Sequence, residues 1–430
     1  MKRTEFCSEL LREKYEKIEH ASGLSIYVFP KKLTASYALF ATKYGSIDNS
    51  FWDDGGELVT LPDGVAHFLE HKLFENEDGS DSFAHFSALG ADANAYTSYD
   101  RTAYLFSCTE NFEESLEELL TFVTHPHFTE ESVEKERGII AEEIRMYEDS
   151  PWDRCQRLLL SALYHQNPVR KNICGSPASL QKITPALLYQ CHSVYYALSN
   201  MALVVCGDLS AEQVLAVADR VLPKEAAKTE IKRAFPEEPP RVAKCEVSCK
   251  MQVSKPIFCI GIKDSVLPAD PAERLYRDAA MTLLAEVLFS RSGEFYSTLF
   301  EEGIITPSFF GGYSSTEYFA YHCISGESDT PDVVLSRMKD YIAKVQKEGI
   351  DREVFERCRR VLYSDEIRAY DSTEEIANRL LSFVFDDAEM FSYPALLQQI
   401  TAEELESLLR ESFQDDYIAI STVYPLESDL

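Results

Sequence analysis

The order of apolar and polar positions divides the chain into strands and helices that occur twice in the same order. The first half opens with the strand-like runs "GLSIYVFP" and "SYALFATKYG", and the second opens with "VSKPIFCIGIKD". Each half continues through helices, a pair of strands, more helices and a late strand, "MALVVCGDL" or "YIAISTVYP". This repeated order predicts an internal duplication. Strands interleaved with helix pairs, with hairpins at 93–108 and 308–326, predict an α+β fold in each half.

A polar segment separates the two halves. Residues 223–241 read "PKEAAKTEIKRAFPEEPPR", which is rich in charge and proline and lacks hydrophobic periodicity. Such a composition is typical of a linker. The pattern therefore predicts an N-terminal half at 1–222 and a C-terminal half at 242–430. A chain of 430 residues is long enough for each half to bury its own core.

The charge balance excludes several classes of partner. The chain has 42 Lys and Arg against 72 Asp and Glu, a formal charge of −30, which repels nucleic acids and anionic membranes. Its N-terminal segment is charged throughout, and no apolar run approaches the roughly 18 residues of a membrane span. We therefore expect a soluble, cytoplasmic protein. Its eleven scattered cysteines should be reduced and mostly buried.

The segment "GVAHFLEHKLFEN", residues 64–76, carries the clearest chemical signal. His67 and His71 are four residues apart, so on a helix they share one face and can bind one ion at roughly 2.0–2.1 Å. Glu70 is next to them and can act as a general base toward a water molecule at that ion. The alternative is a pair of exposed or capping histidines. The HxxEH spacing is rare enough in a chain with nine histidines to favour a metal.

A catalytic zinc ion generally has three protein ligands, so a third must come from elsewhere. The best candidate segment is 129–151, which opens with a threonine cap, has acidic residues in its first turn and ends before Pro151. These features predict a helix. Its apolar stripe consists of Val133, Ile140 and Ile144.

The glutamates of this helix differ in their distance from the apolar stripe. Glu142 points away from the stripe toward water, whereas Glu136 and Glu143 share one half-buried edge, where a ligand would lie. Glu148 is also near the stripe, but it lies close to the helix end and ranks below Glu143. A solvated acidic face explains most of these residues. Helix geometry alone does not choose between Glu136 and Glu143.

Together these motifs resemble those of the insulinase/pitrilysin-like inverzincin metallopeptidases. The HxxEH motif is followed after 71 residues by Glu143, which closes an ExxxxxxE pair with Glu136, and the similarity extends over both halves and the linker. The resemblance implies that Zn²⁺ is bound by His67, His71 and Glu143. It implies that Glu70 is the general base and that Glu136 supports the site without binding the ion. It also implies two halves of one fold, which enclose a peptide chamber together with a partner.

A second stretch agrees with this resemblance. The run "ADANAYTSYDRTAYLF", residues 91–106, is similar to the family's Asn-Ala-aromatic-Thr strand at the cleft. An exposed strand edge can hold a peptide by β-augmentation, which recognises the backbone rather than the side chains. The similarity implies substrate contacts by Asn94, Ala95 and Tyr96. An ordinary hairpin strand with aromatic packing is the alternative.

The second half departs from the family pattern. In the family an arginine and a tyrosine seven residues later help to bind substrate and stabilise the oxyanion. Here Phe300 stands at the arginine position, and Thr306-Pro307 stands near the tyrosine position. Because an oxyanion stabiliser is worth roughly 10²–10³ in rate, we expect a zinc-less homologous subunit to supply these groups, as in bacterial paired peptidases. A homodimer is the alternative, but it would never supply the arginine.

The sequence therefore predicts a zinc-dependent endopeptidase that hydrolyses flexible peptides. A non-catalytic scaffold subunit of such a complex is the alternative from another class, but those subunits usually lack part of HxxEH. A purely structural zinc site is disfavoured by the glutamate beside the second histidine and by the lack of cysteine ligands. General peptide turnover and maturation of one precursor peptide both fit.

Overall fold

The computed structural model describes residues 2–53, 55–225 and 231–426. These ranges contain fifteen strands, which are β1 (Lys2–Ser8), β2 (Glu13–Glu19), β3 (Ser25–Pro30), β4 (Ser36–Thr42), β5 (Ser50–Trp52), β6 (Leu58–Thr60), β7 (Asp92–Thr97), β8 (Thr102–Cys108), β9 (Met201–Gly207), β10 (Lys232–Arg233), β11 (Glu246–Met251), β12 (Ile257–Asp264), β13 (Phe310–Ser315), β14 (Ala320–Glu327) and β15 (Ile418–Pro425). They also contain fifteen α-helices, which are α1 (Val65–Leu73), α2 (Ser82–Leu89), α3 (Phe112–Thr124), α4 (Glu130–Glu148), α5 (Pro151–Leu163), α6 (Pro177–Leu180), α7 (Pro185–Tyr195), α8 (Ala211–Val221), α9 (Pro271–Phe289), α10 (Glu294–Glu301), α11 (Pro331–Glu348), α12 (Arg352–Ala369), α13 (Thr373–Phe385), α14 (Tyr393–Gln399) and α15 (Ala402–Ser412).

These elements form two compact units, and neither unit is continuous in sequence. Their described residues fall within Met1–Ile144, Asn172–Phe235 and Arg368–Phe385 for unit 1, and within Arg145–Lys171, Pro236–Ile367 and Asp386–Leu430 for unit 2. Each unit therefore includes a segment from the other sequence half. Of the predicted linker 223–241, residues 226–230 lie outside the described part of the chain. The predicted boundaries at 222 and 242 stay a prediction.

Unit 1 is built on a seven-stranded sheet with the order β1-β2-β3-β9-β4-β8-β7. Strands β3 and β9 are parallel, and the other neighbours are antiparallel. Every residue of β9 is buried, as expected for a central strand covered on both faces. The late helix α13 packs against β9 and β4 of this sheet.

Part of the predicted linker is a strand of unit 1. A small sheet has the order β10-β5-β6, in which Lys232 and Arg233 of β10 pair with Trp52 and Phe51. Arg233 Nε also donates to Asp48 Oδ1 at 2.6 Å. Because the Asp48 side chain is buried, this ion pair holds the middle of the predicted linker against unit 1.

Unit 2 is built on a five-stranded sheet with the order β11-β15-β12-β14-β13. Helix α5 packs against β15, β12 and β11 of this sheet. The helix approaches β12 closely at Gly261, where a Cβ atom would lie 2.8 Å from Leu163 and 2.9 Å from Leu159. The close approach explains the glycine in the middle of a buried strand.

The two sheets share one topology, which confirms the predicted repeat of elements. Strands β3-β9-β4-β8-β7 of unit 1 match β11-β15-β12-β14-β13 of unit 2, and the parallel pair is first in both. The hairpins β7–β8 at 92–108 and β13–β14 at 310–327 agree to within two residues with the predicted hairpins at 93–108 and 308–326. The mixture of strands and helices confirms the α+β class.

Two further observations concern the whole described chain. Seven of the eleven cysteines are buried, as predicted. Within the described ranges, no helix is both long enough and apolar enough to cross a bilayer.

Candidate metal centre

Helix α1 carries the HxxEH motif, and its apolar residues determine which way the motif faces. Val65, Phe68 and Leu69 are buried in the core of unit 1. Residues three or four apart share a helix face, so His67 and His71 lie together on a neighbouring face. His67 is only 7% exposed, and His71 is half-buried.

Helix α4 supplies the facing acidic residues. It runs from Glu130 to Glu148 and so confirms the helix predicted at 129–151. Ile140 and Ile144 of the predicted stripe are buried. Glu142 is exposed, whereas Glu136 and Glu143 are half-buried, as the helix pattern predicts. Glu148, which the pattern places near the stripe, is exposed at the helix end. The half-buried edge of α4 faces α1.

The structure brings His67, His71 and Glu143 together. His67 Nε2 lies 3.5 Å from Glu143 Oε1, and His71 Nε2 lies 3.4 Å from Glu143 Oε2. Two ligands that are each 2.0–2.1 Å from a tetrahedral zinc ion lie roughly 3.3–3.4 Å apart. Each histidine nitrogen therefore lies at about the separation from one oxygen of Glu143 that two ligands of one zinc ion would have.

Glu136 lies behind His71 and does not reach the other predicted ligands. Its Oε1 accepts a hydrogen bond from His71 Nδ1 at 3.0 Å. Because an ionised carboxylate only accepts, Nδ1 carries the proton and Nε2 presents its lone pair toward Glu143. Burial lowers the pKa of His71, but the hydrogen bond to Glu136 and the nearby carboxylates outweigh it, so the pKa is raised overall. His67 differs, because among the described residues its buried Nδ1 has no hydrogen-bond partner.

Glu70 is held by a residue that the sequence analysis did not identify. Thr97, the last residue of β7, donates from Oγ1 to Glu70 Oε2 at 2.5 Å. Thr97 Oγ1 also lies 3.3 Å from Thr102 Oγ1 on the paired strand β8. These contacts fix the Glu70 carboxylate beside the two histidines. The only sequence signal for Thr97 is its place after Tyr96 in the strand motif.

The predicted substrate strand, β7, is the last strand of its sheet. Among the described strands it pairs with β8 alone, so its other edge pairs with no described strand. Asn94 is exposed, and Ala95 and Tyr96 are half-buried. Asn94 Oδ1 accepts from the backbone N–H of Ala95 at 2.8 Å. A peptide that bonded to this N–H would have to displace the Asn94 side chain.

A tight backbone contact brings one more residue to the centre. Gly64, with φ of 94°, precedes α1, and a Cβ atom there would lie 2.5 Å from the carbonyl oxygen of Cys174. Gly175, with φ of 77°, meets the carbonyl oxygen of Asp63 in the same way. The two glycines let the backbones touch. Cys174 Sγ consequently lies 3.9 Å from His67 Nε2. Sequence spacing gave no signal for this residue.

Phe300 and Thr306 lie in unit 2 and form local contacts there. Phe300 is on α10 and stacks on Tyr296, with 5.5 Å between the ring centroids. Thr306 Oγ1 lies 2.7 Å from Ser308 Oγ. Neither residue carries the positive charge of an arginine, and the departure from the family pattern stays a prediction.

Comparisons with known proteins agree with this architecture. Residues 60–176 match the family model described as "Insulinase (Peptidase family M16)". Residues 182–362 match the model described as "Peptidase M16 inactive domain". The second match excludes the HxxEH helix and α4. The word "inactive" therefore applies to a region that does not contain the candidate metal centre.

Similar proteins cover the chain almost completely. The "Uncharacterized zinc protease YmfH" of Bacillus subtilis (strain 168) is 38% identical over 421 residues, 97% of this chain and 98% of that protein. A crystal structure of a putative M16-like peptidase from Alicyclobacillus acidocaldarius superimposes with a TM-score of 0.93 at 34% identity, over 98% of this chain and 100% of that one.

A more distant structure differs in length. The periplasmic protease PqqL from Escherichia coli shares the fold, with a TM-score of 0.72 at 19% identity. The match covers 95% of this chain but 47% of PqqL. PqqL therefore has about as much chain again beyond the matched part.

Proposed function

This chain belongs to the insulinase family of peptidases (M16), and we propose that it is a zinc-dependent endopeptidase that hydrolyses flexible peptides. The observation that carries the proposal is the convergence of two histidine nitrogens and one carboxylate at 3.4–3.5 Å. The name of the B. subtilis relative, a zinc protease, supports the same chemistry.

In this proposal His67, His71 and Glu143 hold the zinc ion. A bound zinc ion supplies a Lewis acid that polarises a peptide carbonyl and makes water a better nucleophile. Glu136 orients His71 through Nδ1 and so keeps Nε2 aimed at the ion. Glu136 is thus a positioning residue rather than a ligand.

Glu70 acts as the general base. It lies on the histidine face of α1 and can take the proton of the attacking water and return it to the departing amine. The hydrogen bond from Thr97 restrains the carboxylate at the end of the substrate strand. The general base would therefore lie directly beside the end of the strand that binds the peptide.

The open edge of β7 is the proposed binding place for the peptide. Asn94, Ala95 and Tyr96 would contact an extended substrate, and the backbone of Ala95, whose N–H faces away from β8, would form hydrogen bonds to it, which is recognition by β-augmentation. This mode selects flexible segments more strongly than particular side chains. Substrates from general peptide turnover and a single precursor peptide fit equally well.

We also propose that the chain works with a zinc-less homologous subunit. Phe300 and Thr306-Pro307 cannot replace an arginine and a tyrosine at the developing oxyanion. In PqqL a fold like that of this whole chain accounts for only 47% of the protein. Its greater length is consistent with a peptidase that needs more than the two units found here. A homodimer would double the units without adding the arginine. A cytoplasmic location stays a prediction.

The test combines zinc analysis with cleavage of flexible peptides. The wild-type chain should bind one zinc ion, which Glu143→Gln should lose and Glu142→Gln, the exposed neighbour, should keep. Glu70→Gln keeps the size of the side chain but cannot accept a proton, so zinc should remain and turnover should collapse. Full activity in Glu70→Gln would refute the assigned base. Zinc loss in Glu136→Gln, with retention in Glu143→Gln, would refute the ligand assignment.

A second measurement tests the partner. The chain alone should cleave poorly, and addition of the zinc-less homologue should raise the rate about 10²-fold or more, as restoration of an oxyanion donor would. The gain should vanish when the arginine and tyrosine of that homologue are replaced. High activity of the lone chain, unchanged by the homologue, would refute the pairing. A zinc-loaded chain that stays inactive with the homologue would instead indicate a scaffold subunit.

A further inference from the structure

A buried thiol lies beside the proposed zinc ligands. Cys174 is 4% exposed, and its Sγ lies 3.9 Å from His67 Nε2. One ligand atom from each of His67, Glu143 and Cys174 lies within 4.8 Å of the other two. A thiol at this place is the softest donor of the group and the one that zinc uses most readily in closed sites.

The separation of Cys174 from His67 suits an ion shared by these two residues. Zinc lies about 2.3 Å from sulfur and 2.0–2.1 Å from nitrogen, which places the two atoms roughly 3.5–3.6 Å apart in a tetrahedral site. The observed 3.9 Å exceeds this by a few tenths of an ångström. A small rotation of the Cys174 side chain would close the difference. Without an ion, the same approach is a weak hydrogen bond between thiol and imidazole.

The backbone holds Cys174 firmly in this place. Its N–H donates to Asn172 Oδ1 at 3.1 Å, and the N–H of Gly175 donates to the Asn172 carbonyl at 2.9 Å. The paired approach of Gly64 and Gly175 locks this turn against the start of α1. The thiol is therefore held next to His67 both by hydrogen bonds within its own turn and by the contact of that turn with the start of α1.

We propose that Cys174 is a fourth protein ligand of the zinc ion in the resting chain. The inference rests on the proposed function, because it requires zinc at His67, His71 and Glu143. As sulfur binds the ion, the thiol proton passes to solvent, and no electrons are transferred. A catalytic zinc site needs one open position for water. With sulfur in that position the chain is latent, and cleavage requires sulfur to leave.

The test is X-ray absorption of the zinc-loaded full chain, which does not depend on activity. We expect a sulfur neighbour at about 2.3 Å in addition to nitrogen and oxygen at about 2.0–2.2 Å. Cys174→Ser should lose the sulfur neighbour. The matched control is Cys108→Ser, which changes another buried cysteine of unit 1 and should keep it. Loss of a residue that only hydrogen-bonds to a metal ligand typically lowers metal affinity about 10–100-fold. Loss of a direct ligand should cost at least as much, so Cys174→Ser should weaken zinc binding at least about tenfold in a chelator competition.

The outcomes separate this inference from the proposed function. One zinc ion per chain without a sulfur neighbour would overturn the role of Cys174 and leave the peptidase proposal intact. A sulfur neighbour that persists in Cys174→Ser would overturn it as well, because another cysteine would then be the ligand. Absence of bound zinc would overturn the proposed function itself. If Cys174→Ser does not fold, the wild-type spectrum alone decides between presence and absence of sulfur.

Discussion

Acid should weaken unit 1 through the buried side chain of His192. Its Nε2 donates to the carbonyl oxygen of Val123 at 2.9 Å, and its ring stacks on Tyr196 with 4.7 Å between centroids. Burial lowers the pKa of His192 from 6.5 to about 4, and the hydrogen bond to Val123 opposes this only in part. The folded chain therefore holds the neutral imidazole, whereas the unfolded chain takes up a proton at a higher pH.

The magnitude follows from these two pKa values. Above pH 6.5 His192 is neutral in both the folded and the unfolded chain, so it causes no loss of stability. Between pH 6.5 and about 4 only the unfolded chain gains a proton at His192, and the free energy of unfolding falls with the pH. The loss in free energy of unfolding is about 2 kcal/mol at pH 5 and approaches about 3 kcal/mol below pH 4. Such a loss is a large part of the stability of a typical domain.

The chain offers a separate reporter for each unit. Its two tryptophans are Trp52 in β5 of unit 1 and Trp152 in α5 of unit 2. In a Trp152→Phe background, urea unfolding followed by Trp52 fluorescence can be measured at about pH 7.5 and about pH 5. His192→Gln keeps a donor for Val123 but cannot titrate, so its loss between the two conditions should be smaller by about 2 kcal/mol.

The control is His85→Gln, which changes an exposed histidine of the same unit that pairs with Glu118. Exposed pairs contribute less than about 1 kcal/mol, so its loss should differ from that of its parent by less than about 1 kcal/mol. An equal loss in His192→Gln and its parent would refute the reasoning. The acid sensitivity of unit 1 would then come from another group.

Two more predictions concern the site and unit 2. Glu136→Gln should lower zinc affinity about 10–100-fold in a chelator competition, because His71 loses its orienting carboxylate; unchanged affinity would contradict that role. Lys263 is 2% exposed and donates to Glu238 Oε1 at 2.6 Å. Glu238→Ala would leave a buried charge without its partner and should destabilise unit 2 by about 3–5 kcal/mol in urea unfolding followed by Trp152. A loss below about 1 kcal/mol would show that Lys263 finds other compensation.

Local periodicity predicted the parts of the site that lie on helices. The pattern of α4 separates Glu142, which is exposed, from Glu136 and Glu143, which are half-buried. Glu148 lies near the apolar stripe by the pattern but is exposed, because the helix ends at this residue. The pattern succeeds for the other three because the buried Ile140 fixes the rotation of the helix, and their positions follow from the helical repeat. The pattern could not choose a ligand between Glu136 and Glu143. That choice depends on the distance to α1, where Glu136 meets His71 Nδ1 and Glu143 faces both Nε2 atoms.

Contacts between distant parts of the chain could not be predicted in the same way. Cys174 reaches His67 only because Gly64 and Gly175 let two loops touch, and nothing near Cys174 in sequence signals that contact. The membership of α5 in unit 2 has a similar cause. An amphipathic helix shows that one face is buried, but its pattern does not specify which sheet covers that face. Here the sheet of unit 2 provides the space at Gly261.

Comparison of the two duplicated units shows which features of the candidate site come from the shared fold and which come from individual side chains. Thr97 and Ser315 are the last residues of β7 and β13, and each pairs with the first residue of the next strand. Ser315 Oγ donates to Asp278 of α9 at 2.6 Å, as Thr97 donates to Glu70 of α1. The histidine positions three residues before and one after the acid are Leu275 and Ala279 in unit 2. In both units a helix thus places an acidic side chain against the hydroxyl group of the last residue of an edge strand. At these positions only unit 1 has the imidazole nitrogens that hold the zinc ion in our proposal. The proposed chemistry therefore depends on two side chains rather than on the shared backbone.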